Sequence, residues 1–178
     1  WVQNQQIIGE GTGDQFGTSH ELSDDGSTIA IGGYANAGNG TGAGHVRVFA
    51  DGMLDLAVKV FLQGPLSGGL MSDNLRANNL IPTADPYGLG ENISDPNILT
   101  VTGNDAIVDW VQIEIRDQAD PTKIIQSTAA LLQRDGDVVD VDGVSSLKFC
   151  GIVGGDYLIA VRHRNHLGVL SNMPVTIQ

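Results

Sequence analysis

The run His163-Arg164-Asn165-His166 holds the residue types best suited to chemistry in this chain. Imidazole groups bind metals and transfer protons near neutral pH. Because side chains alternate between the two faces of a β-strand, a strand that continues through this run directs His163 and His166 to opposite faces. The two histidines then share a metal only if the strand ends between them, and zinc takes more than two ligands. We therefore favour a structural role, in which Arg162 and Arg164 pair with carboxylates and the histidines form hydrogen bonds at the end of a strand.

Four aspartates crowd a second candidate site, around the turn Arg134-Asp135-Gly136-Asp137. Calcium prefers several oxygen ligands from a flexible loop, and these carboxylates are suitable ligands: Asp135, Asp137, Asp140 and Asp142. The competing interpretation is a solvated strand face, because the last two aspartates alternate with valines, and surface pairs with arginines contribute little stability. Calcium is the one cofactor that the sequence suggests, and otherwise none is expected.

No constellation of catalytic residues can be recognised. The chain lacks a Gly-x-Ser-x-Gly nucleophile elbow, a phosphate loop with its lysine, and a His-Glu-x-x-His pair. Gly9, Gly11 and Gly13 have the spacing of a nucleotide loop but not its context, which is a strand before and a helix after. We therefore predict that the protein is not an enzyme and assign no catalytic residue.

The charge balance restricts the partners. Nine basic residues face 21 acidic ones, which gives a formal net charge of −12. Nucleic acid and anionic membranes bind basic surfaces, so neither is an expected partner. No apolar run approaches the roughly 18 residues that span a membrane. The single cysteine, Cys150, excludes an intramolecular disulfide, and its apolar surroundings predict a buried core residue.

The elements that position these residues are predicted to be antiparallel strands. In residues 106–117 apolar residues alternate with polar ones, the pattern of a half-buried strand. Ile107, Val111, Ile113 and Ile115 fall on one face, and Trp110 falls on the other, where it seals a sheet edge or an interface. Further short strands are predicted over residues 56–62, 98–102, 123–134, 138–142, 147–150, 157–165 and 173–177, and a short helix over 73–78. The pattern predicts an all-β protein whose second domain, residues 57–178, is an Ig-like antiparallel β-sandwich.

Residues 1–50 form a separate unit, joined to the sandwich by a connection over residues 51–56. They contain 11 of the 24 glycines, and Asp25-Gly26 suits a tight hairpin turn. Strands are predicted over residues 15–22, 27–32 and 45–50. With the leading segment 1–8 they amount to one four-stranded antiparallel blade.

The motifs of this unit resemble an FG-GAP-type repeat, the blade of integrin-like β-propellers. They are Trp1-Val2-Gln3, Ile8-Gly9-Glu10, Gly13-Asp14-Gln15-Phe16-Gly17, Leu22-Ser23-Asp24-Asp25-Gly26, Ile29-Ala30-Ile31-Gly32 and Gly44-His45-Val46-Arg47-Val48-Phe49. The match departs at Gly32-Gly33-Tyr34, where the family has Gly-Ala-Pro. Residues 36–44 also lack the carboxylates of the family's cation loop, which argues against calcium in this blade.

A single blade leaves an assembly problem. A propeller needs about four to eight blades, and a lone repeat cannot bury both of its faces. Either the chain is cut from a longer array, or the blade packs on the second domain, or neighbouring molecules complete it. We expect homo-oligomeric partners and name Trp1, Phe16, Trp110 and Tyr87 as interface candidates.

The second domain resembles a C-terminal module of secreted bacterial multidomain surface proteins. The resemblance rests on Leu70-Met71, Asp73-Asn74-Leu75-Arg76, Asn104-Asp105-Ala106-Ile107-Val108-Asp109-Trp110, residues 131–142 and residues 161–169. It implies an extracellular or cell-surface location rather than an activity. The chain begins at Trp1 without a methionine, which is expected of a mature form or a fragment, so the missing signal peptide does not argue for the cytoplasm.

The long loop 83–96 is a candidate contact region through its acidic and aromatic residues, Asp85, Tyr87, Glu91 and Asp95. The alternative is a passive covering of a sheet edge. For the whole chain we predict a non-enzymatic structural or adhesive subunit that assembles with itself into a surface filament or array. The alternative is a carbohydrate- or protein-binding module of a larger secreted adhesin or enzyme, with a glycan or surface protein held in a groove lined by Trp110, Tyr87 or Tyr157.

Overall fold

The computed structural model describes residues 7–24, 26, 28–50, 53–152 and 154–177. The chain divides into two compact units, Trp1–Met53 and Leu54–Gln178, each described here by itself. This division falls inside the predicted connection 51–56. Antiparallel strands make up most of the regular structure in both units, so the predicted all-β class is confirmed.

The first unit contains a three-stranded antiparallel sheet in the order β1 (Phe16–Leu22), β2 (Thr28–Gly33) and β3 (His45–Ala50). All three correspond to predicted strands. The pairing of β1 with β2 shifts register between Phe16 and Ser19, a bulge next to Gly17, whose φ of 93° suits glycine. The predicted fourth strand includes residues 1–6, and the predicted turn includes Asp25. Both therefore lie partly outside the described residues.

The second unit is built on one large curled sheet. Its elements are β4 (Met53–Leu56), β5 (Val58–Lys59), β6 (Leu66–Ser67), β7 (Leu70–Met71), α1 (Asn74–Ala77), a 3-10 helix (Pro96–Thr100), β8 (Ile107–Asp117), β9 (Ile124–Gln133), β10 (Asp137–Val139), β11 (Leu147–Cys150), β12 (Gly155–His163), β13 (His166–Leu170) and β14 (Val175–Ile177). The large sheet has the order β13-β12-β8-β9-β10-β5, and β14 also pairs with β12. Two small sheets pair β4 with β11 and β6 with β7.

Strand β8 separates two apolar cores. On one face Val111, Ile113 and Ile115 pack with Phe149 of β11, so the β4–β11 sheet covers this side of the large sheet. On the other face Trp110 forms the centre of a second core. Both faces are therefore buried, and β8 is not the half-buried strand that its alternating sequence predicts.

Ile107 is one residue that the sequence places on the wrong face. It belongs to the core of Trp110 and not to that of Val111. The register between β8 and β9 shifts between Ile107 and Asp109. One extra residue in a strand reverses the side-chain alternation beyond it, so this bulge moves Ile107 to the other side.

The prediction that Cys150 is a buried core residue is wrong, because side chains alternate along β11 and the cysteine lies on its exposed face. Several predicted boundaries also differ. The predicted strand 98–102 is a 3-10 helix, because Pro96 occupies its first turn and the Asp95 carboxylate accepts a hydrogen bond from the Asn97 N–H. The predicted strand 157–165 ends at His163, and a new strand, β13, begins at His166. In the described part of the chain, no helix combines the length and the apolar character needed to cross a bilayer.

Candidate functional site

The residues with the greatest chemical potential meet at the hairpin between β12 and β13. A two-residue turn joins these strands, so that His163 and His166 lie opposite each other in the ladder. Their Nδ1 atoms are 2.8 Å apart and their ring centroids 4.8 Å apart. The prediction that the two histidines point to opposite faces is therefore wrong, because the strand ends between them.

A buried carboxylate holds this hairpin in place. The side chain of Asp109 on β8 is 2% exposed. Nη2 of Arg164 donates to both of its oxygens, at 2.8 and 2.9 Å, and the Trp110 N–H donates to Oδ1 at 2.8 Å. Nε2 of His163 lies 3.1 Å from Oδ2. We call Asp109, His163, Arg164 and His166 the hairpin cluster.

The second predicted pairing of an arginine in this region is also present. Arg162 Nη1 lies 3.4 Å from a carboxylate oxygen of Glu114, whose side chain is fully buried on β8. Arg116 Nε donates to the same carboxylate at 2.7 Å. The arginine–carboxylate pairs and hydrogen-bonded histidines that were predicted for this run are therefore present.

Burial and hydrogen bonding act in opposite directions on the pKa of Asp109. Burial by itself raises the pKa, because it disfavours the charged form. The hydrogen bonds from His163, from the Trp110 N–H and from Arg164, together with the charge of Arg164, outweigh this effect and lower the pKa below its ordinary value. The cluster therefore holds a carboxylate that stays ionised at neutral pH.

The hydrogen-bond network assigns the tautomers of the two histidines. The ionised Asp109 only accepts, so His163 donates from Nε2–H. Its Nδ1 accepts from the Asn165 N–H and therefore carries a lone pair. That lone pair accepts from His166 Nδ1–H and lies 3.2 Å from the Asn165 backbone nitrogen. The result is a chain of hydrogen bonds from Asp109 through His163 to His166, which fixes both rings at the start of β13.

A cleft of about 330 Å³ opens beside this chain of hydrogen bonds. His166, Asn165 and Ser72 form part of its polar wall, and Leu62 and Leu75 part of its apolar one. Within the described ranges, no three His, Cys, Asp or Glu side chains are placed to hold a metal ion. The hydrogen bonds of this arrangement orient the β12–β13 hairpin against β8.

The four aspartates predicted to bind calcium have separate partners. Asp137 pairs with Lys59 at 2.9 Å, and Asp135 accepts from the Asp137 N–H at 3.3 Å. Asp140 accepts from the next backbone N–H, and Asp142 accepts from the backbone and hydroxyl of Ser145. The described structure brings no three of them together as a metal site, and calcium binding there stays a prediction.

Trp110 is a core residue and not an interface residue. Its side chain is fully buried in the second core, and its Nε1–H donates to the Pro82 carbonyl at 2.8 Å. The strand face that the sequence treats as open is covered by Ile81 and Ile93, which approach from before and within loop 83–96. The placement of Trp110 at an edge or interface is therefore corrected.

Tyr87, the second aromatic interface candidate, ties the loop to this core. Its hydroxyl donates to the Trp110 carbonyl at 3.0 Å, and its ring packs against the second core. Burial raises the pKa of the Tyr87 hydroxyl to about 12. The tyrosine is partly buried, and its ring contacts the second core of its own unit.

Asp85 organises the same loop from within. Its two oxygens accept from the backbone N–H groups of Tyr87, Leu89, Gly90 and Glu91 at 2.9 to 3.1 Å. Burial alone raises the pKa of Asp85, but these four donors lower it below its ordinary value. With Asp95 capping the 3-10 helix, these contacts favour the covering role of the loop over a contact region.

Phe16, the candidate in the first unit, packs on one face of its small sheet. The guanidinium of Arg47 lies over the rings of Phe16 and Phe49, and His45 meets Phe16 edge to face. On the opposite face of the sheet Val46 and Val48 are largely exposed. Trp1, the remaining candidate, lies outside the described residues.

The most exposed apolar strand of the second unit was not predicted. Strand β13 ends the large sheet, and Leu167 and Val169 on it are 94% and 59% exposed. The sequence prediction extended the preceding strand to Asn165 and assigned no strand to residues 166–170. The signal for it is the polar run from Arg162 to His166, which separates two apolar runs and has the two turn residues Arg164-Asn165 at its centre.

No protein-family model matches this chain, and no curated protein or solved structure is significantly similar to it. The fold by itself defines an all-β protein of two units. The resemblances of residues 1–50 to an FG-GAP-type repeat and of residues 57–178 to a module of secreted surface proteins stay predictions.

Proposed function

We propose that this chain is a non-enzymatic structural or adhesive subunit that works by associating with copies of itself outside the cell. In this function exposed strand edges of one subunit pair with those of the next, and the product is a surface filament or array. The hairpin cluster supports the assembly by fixing the position of an edge strand, and it performs no reaction.

Strand β13 is the observation that carries this proposal. It ends the large sheet, so among the described residues its outer backbone groups have no strand partner. Proteins protect such edges with lysine, other charged residues, proline or bulges. The sequence His166-Leu167-Gly168-Val169-Leu170 contains no Lys, Arg, Asp, Glu or Pro. An apolar edge of this kind is a template for pairing with another chain.

The first unit supports the same function. Its sheet has only three described strands, and Val46 and Val48 project from one face into solvent. A sheet of this size buries little apolar surface without further strands or a covering layer. Docking on another molecule covers such a face, in agreement with the predicted blade that needs neighbours.

The proposal is tested by sedimentation velocity over a range of protein concentrations, with negative-stain electron microscopy of the same samples. We expect the wild-type chain to associate as its concentration rises, and Val169→Lys to remain mostly monomeric, because a lysine on a strand edge blocks edge pairing. Val144→Lys is the matched control. Val144 is 82% exposed on a turn, so the same charge change there leaves association unaltered.

A wild-type chain that stays monomeric at every concentration, with near-ultraviolet circular dichroism showing folded units, contradicts the proposal. Equal association of wild type, Val169→Lys and Val144→Lys contradicts the role of β13. The alternative of a carbohydrate-binding module is less well supported, because Trp110, the aromatic residue proposed to line its groove, is buried.

A further inference from the structure

We infer that β13 of one molecule pairs with strand β1 of a second copy of this chain. The inference rests on the proposed self-association and names the two surfaces that carry it. Unit 2 of one molecule then holds unit 1 of the next, so the contact is head to tail. A contact between two different surfaces propagates along a fibre unless its rotation closes a ring.

The receiving side is a groove next to β13. The large sheet is curled, and the segment 56–63 faces β13 across two adjoining hollows of about 400 and 350 Å³. Val60, Val161 and Val169 border both hollows, so they form one apolar groove. A strand added to the edge of β13 directs alternate side chains toward one side of the sheet. The groove provides apolar surface on that side.

The charge around β13 selects the partner. Arg162 and Arg164 lie at the β12–β13 hairpin and their side chains are 57% and 34% exposed, whereas their carboxylate partners, Glu114 and Asp109, are buried. The charged groups that this edge exposes to solvent are therefore cationic, in a chain whose net charge is −12. Most of the surface of a second copy is therefore attracted to it, and a second β13 is repelled.

Strand β1 is the edge that fits this charge. Both β1 and β3 end the sheet of unit 1, but β3 carries Arg47, whereas β1 carries the exposed Glu21 and is followed by Asp24. Leu22 on β1 is also exposed, which gives the strand an apolar side chain to bury. Among the other described sheet edges, β5 carries Lys59 and β14 carries no charge. Strand β4 carries the exposed Asp55, but its Leu54 and Leu56 pack in the first core, so β1 is the edge that offers both a carboxylate and a free apolar side chain.

Single-cysteine variants test the contact directly. In a Cys150→Ser background, one sample carries His20→Cys or Leu22→Cys on β1, and a second, isotopically heavy sample carries Leu167→Cys or Val169→Cys on β13. Neighbouring strands bring opposed Cβ atoms to about 4.5–5.5 Å, close to disulfide range. After mixing and mild oxidation we expect disulfide-linked dimers of one light and one heavy chain. Val46→Cys on β3 is the matched control and is expected to form few.

A charge variant gives an independent readout. Glu21→Lys replaces an attraction by a repulsion and is expected to weaken self-association about fivefold or more. Asp105→Lys makes the same charge change on an exposed turn and is expected to leave association unchanged. Association that persists without β1–β13 cross-links, or with cross-links mainly between two β13 strands, overturns this inference and leaves the proposed function standing. A chain that never associates overturns both.

Discussion

Removing the carboxylate of Asp109 is the perturbation that tests the hairpin cluster most directly. The Asp109 side chain is 2% exposed and accepts from Arg164, His163 and the Trp110 N–H. Asp109→Ala leaves three donors without their acceptor. Arg164→Ala removes the guanidinium and leaves the buried carboxylate with His163 and the Trp110 N–H.

The two changes differ in magnitude because the partners differ in exposure. Breaking a buried ion pair costs about 3–5 kcal/mol when the remaining charge stays buried. Arg164 is 34% exposed, so its guanidinium is partly hydrated once Asp109 is gone. We therefore expect Asp109→Ala to lower the free energy of unfolding by about 2–3 kcal/mol and Arg164→Ala by about 3–4 kcal/mol.

The assay is urea denaturation monitored by tryptophan fluorescence in a Trp1→Phe background, where Trp110 is the only tryptophan. Trp110 lies in the second core, so its signal reports the second unit. The double variant Asp109→Ala/Arg164→Ala completes a thermodynamic cycle. Its cost is expected to fall short of the sum of the single costs by about 2 kcal/mol, because both remove the same interaction.

Acid provides a second test of the same carboxylate. The folded-state pKa of Asp109 lies below the unfolded value of roughly 3.9. Its contribution to stability is thus fully present above the unfolded pKa and is lost as the pH falls through the folded pKa. The difference in stability between wild type and Asp109→Asn is expected to be constant from pH 7 to about pH 5 and to shrink below pH 4.

Three results refute this reasoning. One is a cost below about 0.5 kcal/mol for either single variant, the range of an ordinary surface substitution. Another is strict additivity in the cycle, which means that Asp109 and Arg164 do not interact in solution. The third is a stability difference that does not shrink in acid. Asp105→Asn, which changes an exposed carboxyl on a turn, is the control and is expected to be nearly neutral.

Three further perturbations have defined outcomes. Tyr87→Phe loses the hydrogen bond to a β8 carbonyl, costs about 1 kcal/mol, and removes the tyrosine that titrates near pH 12 in an ultraviolet titration. Gly136→Ala is expected to lower the free energy of thermal unfolding by about 1–3 kcal/mol, because the φ of Gly136 is 95° and a Cβ there meets the Val60 carbonyl oxygen at 3.0 Å. Gly64→Ala is the control and is expected to be nearly neutral, because a Cβ at Gly64 meets no atom within 4 Å. Asp85→Ala removes the acceptor of four backbone N–H groups, so limited proteolysis within loop 83–96 is expected to be severalfold faster. Acidification of the wild type below the Asp85 pKa protonates the same acceptor and is expected to have the same effect.

Local patterning was enough to predict strands wherever one period dominates. The three strands of unit 1 and the long strands β8 and β9 follow from apolar alternation and turn residues. The failures in β8 have a tertiary cause. Its polar face is buried because Glu114 is neutralised there by arginines from β8 itself and from β12, and the bulge before Asp109 inverts the position of Ile107. Neither the pairing of Glu114 with an arginine of another strand nor the bulge can be recognised from the neighbouring residues in the sequence.

The candidate site was predicted by composition but not by geometry. The histidines and arginines of residues 162–166 were identified, but their common partner, Asp109, lies more than fifty residues earlier in the chain. Which carboxylate meets which arginine depends on strand order, and β8 lies next to β12 only through a long-range pairing. The sequence therefore identifies the arginines and histidines of the cluster but does not identify Asp109 as their partner.

The hairpin cluster lies where β13 begins, and this position relates the buried Asp109–Arg164 ion pair to the proposed assembly. Replacing a buried ion pair by apolar residues is often neutral or stabilising, so Asp109 and Arg164 are weakly explained by stability alone. Their geometric effect is specific: they fix the two-residue turn and place His166 opposite His163, which sets the first pair of the β12–β13 ladder. A slip of one residue in that ladder reverses every side chain of β13 and moves Leu167 and Val169 to the other face. A strand that must present a defined edge to another molecule needs its register fixed, and the cluster fixes it at the point where β13 begins.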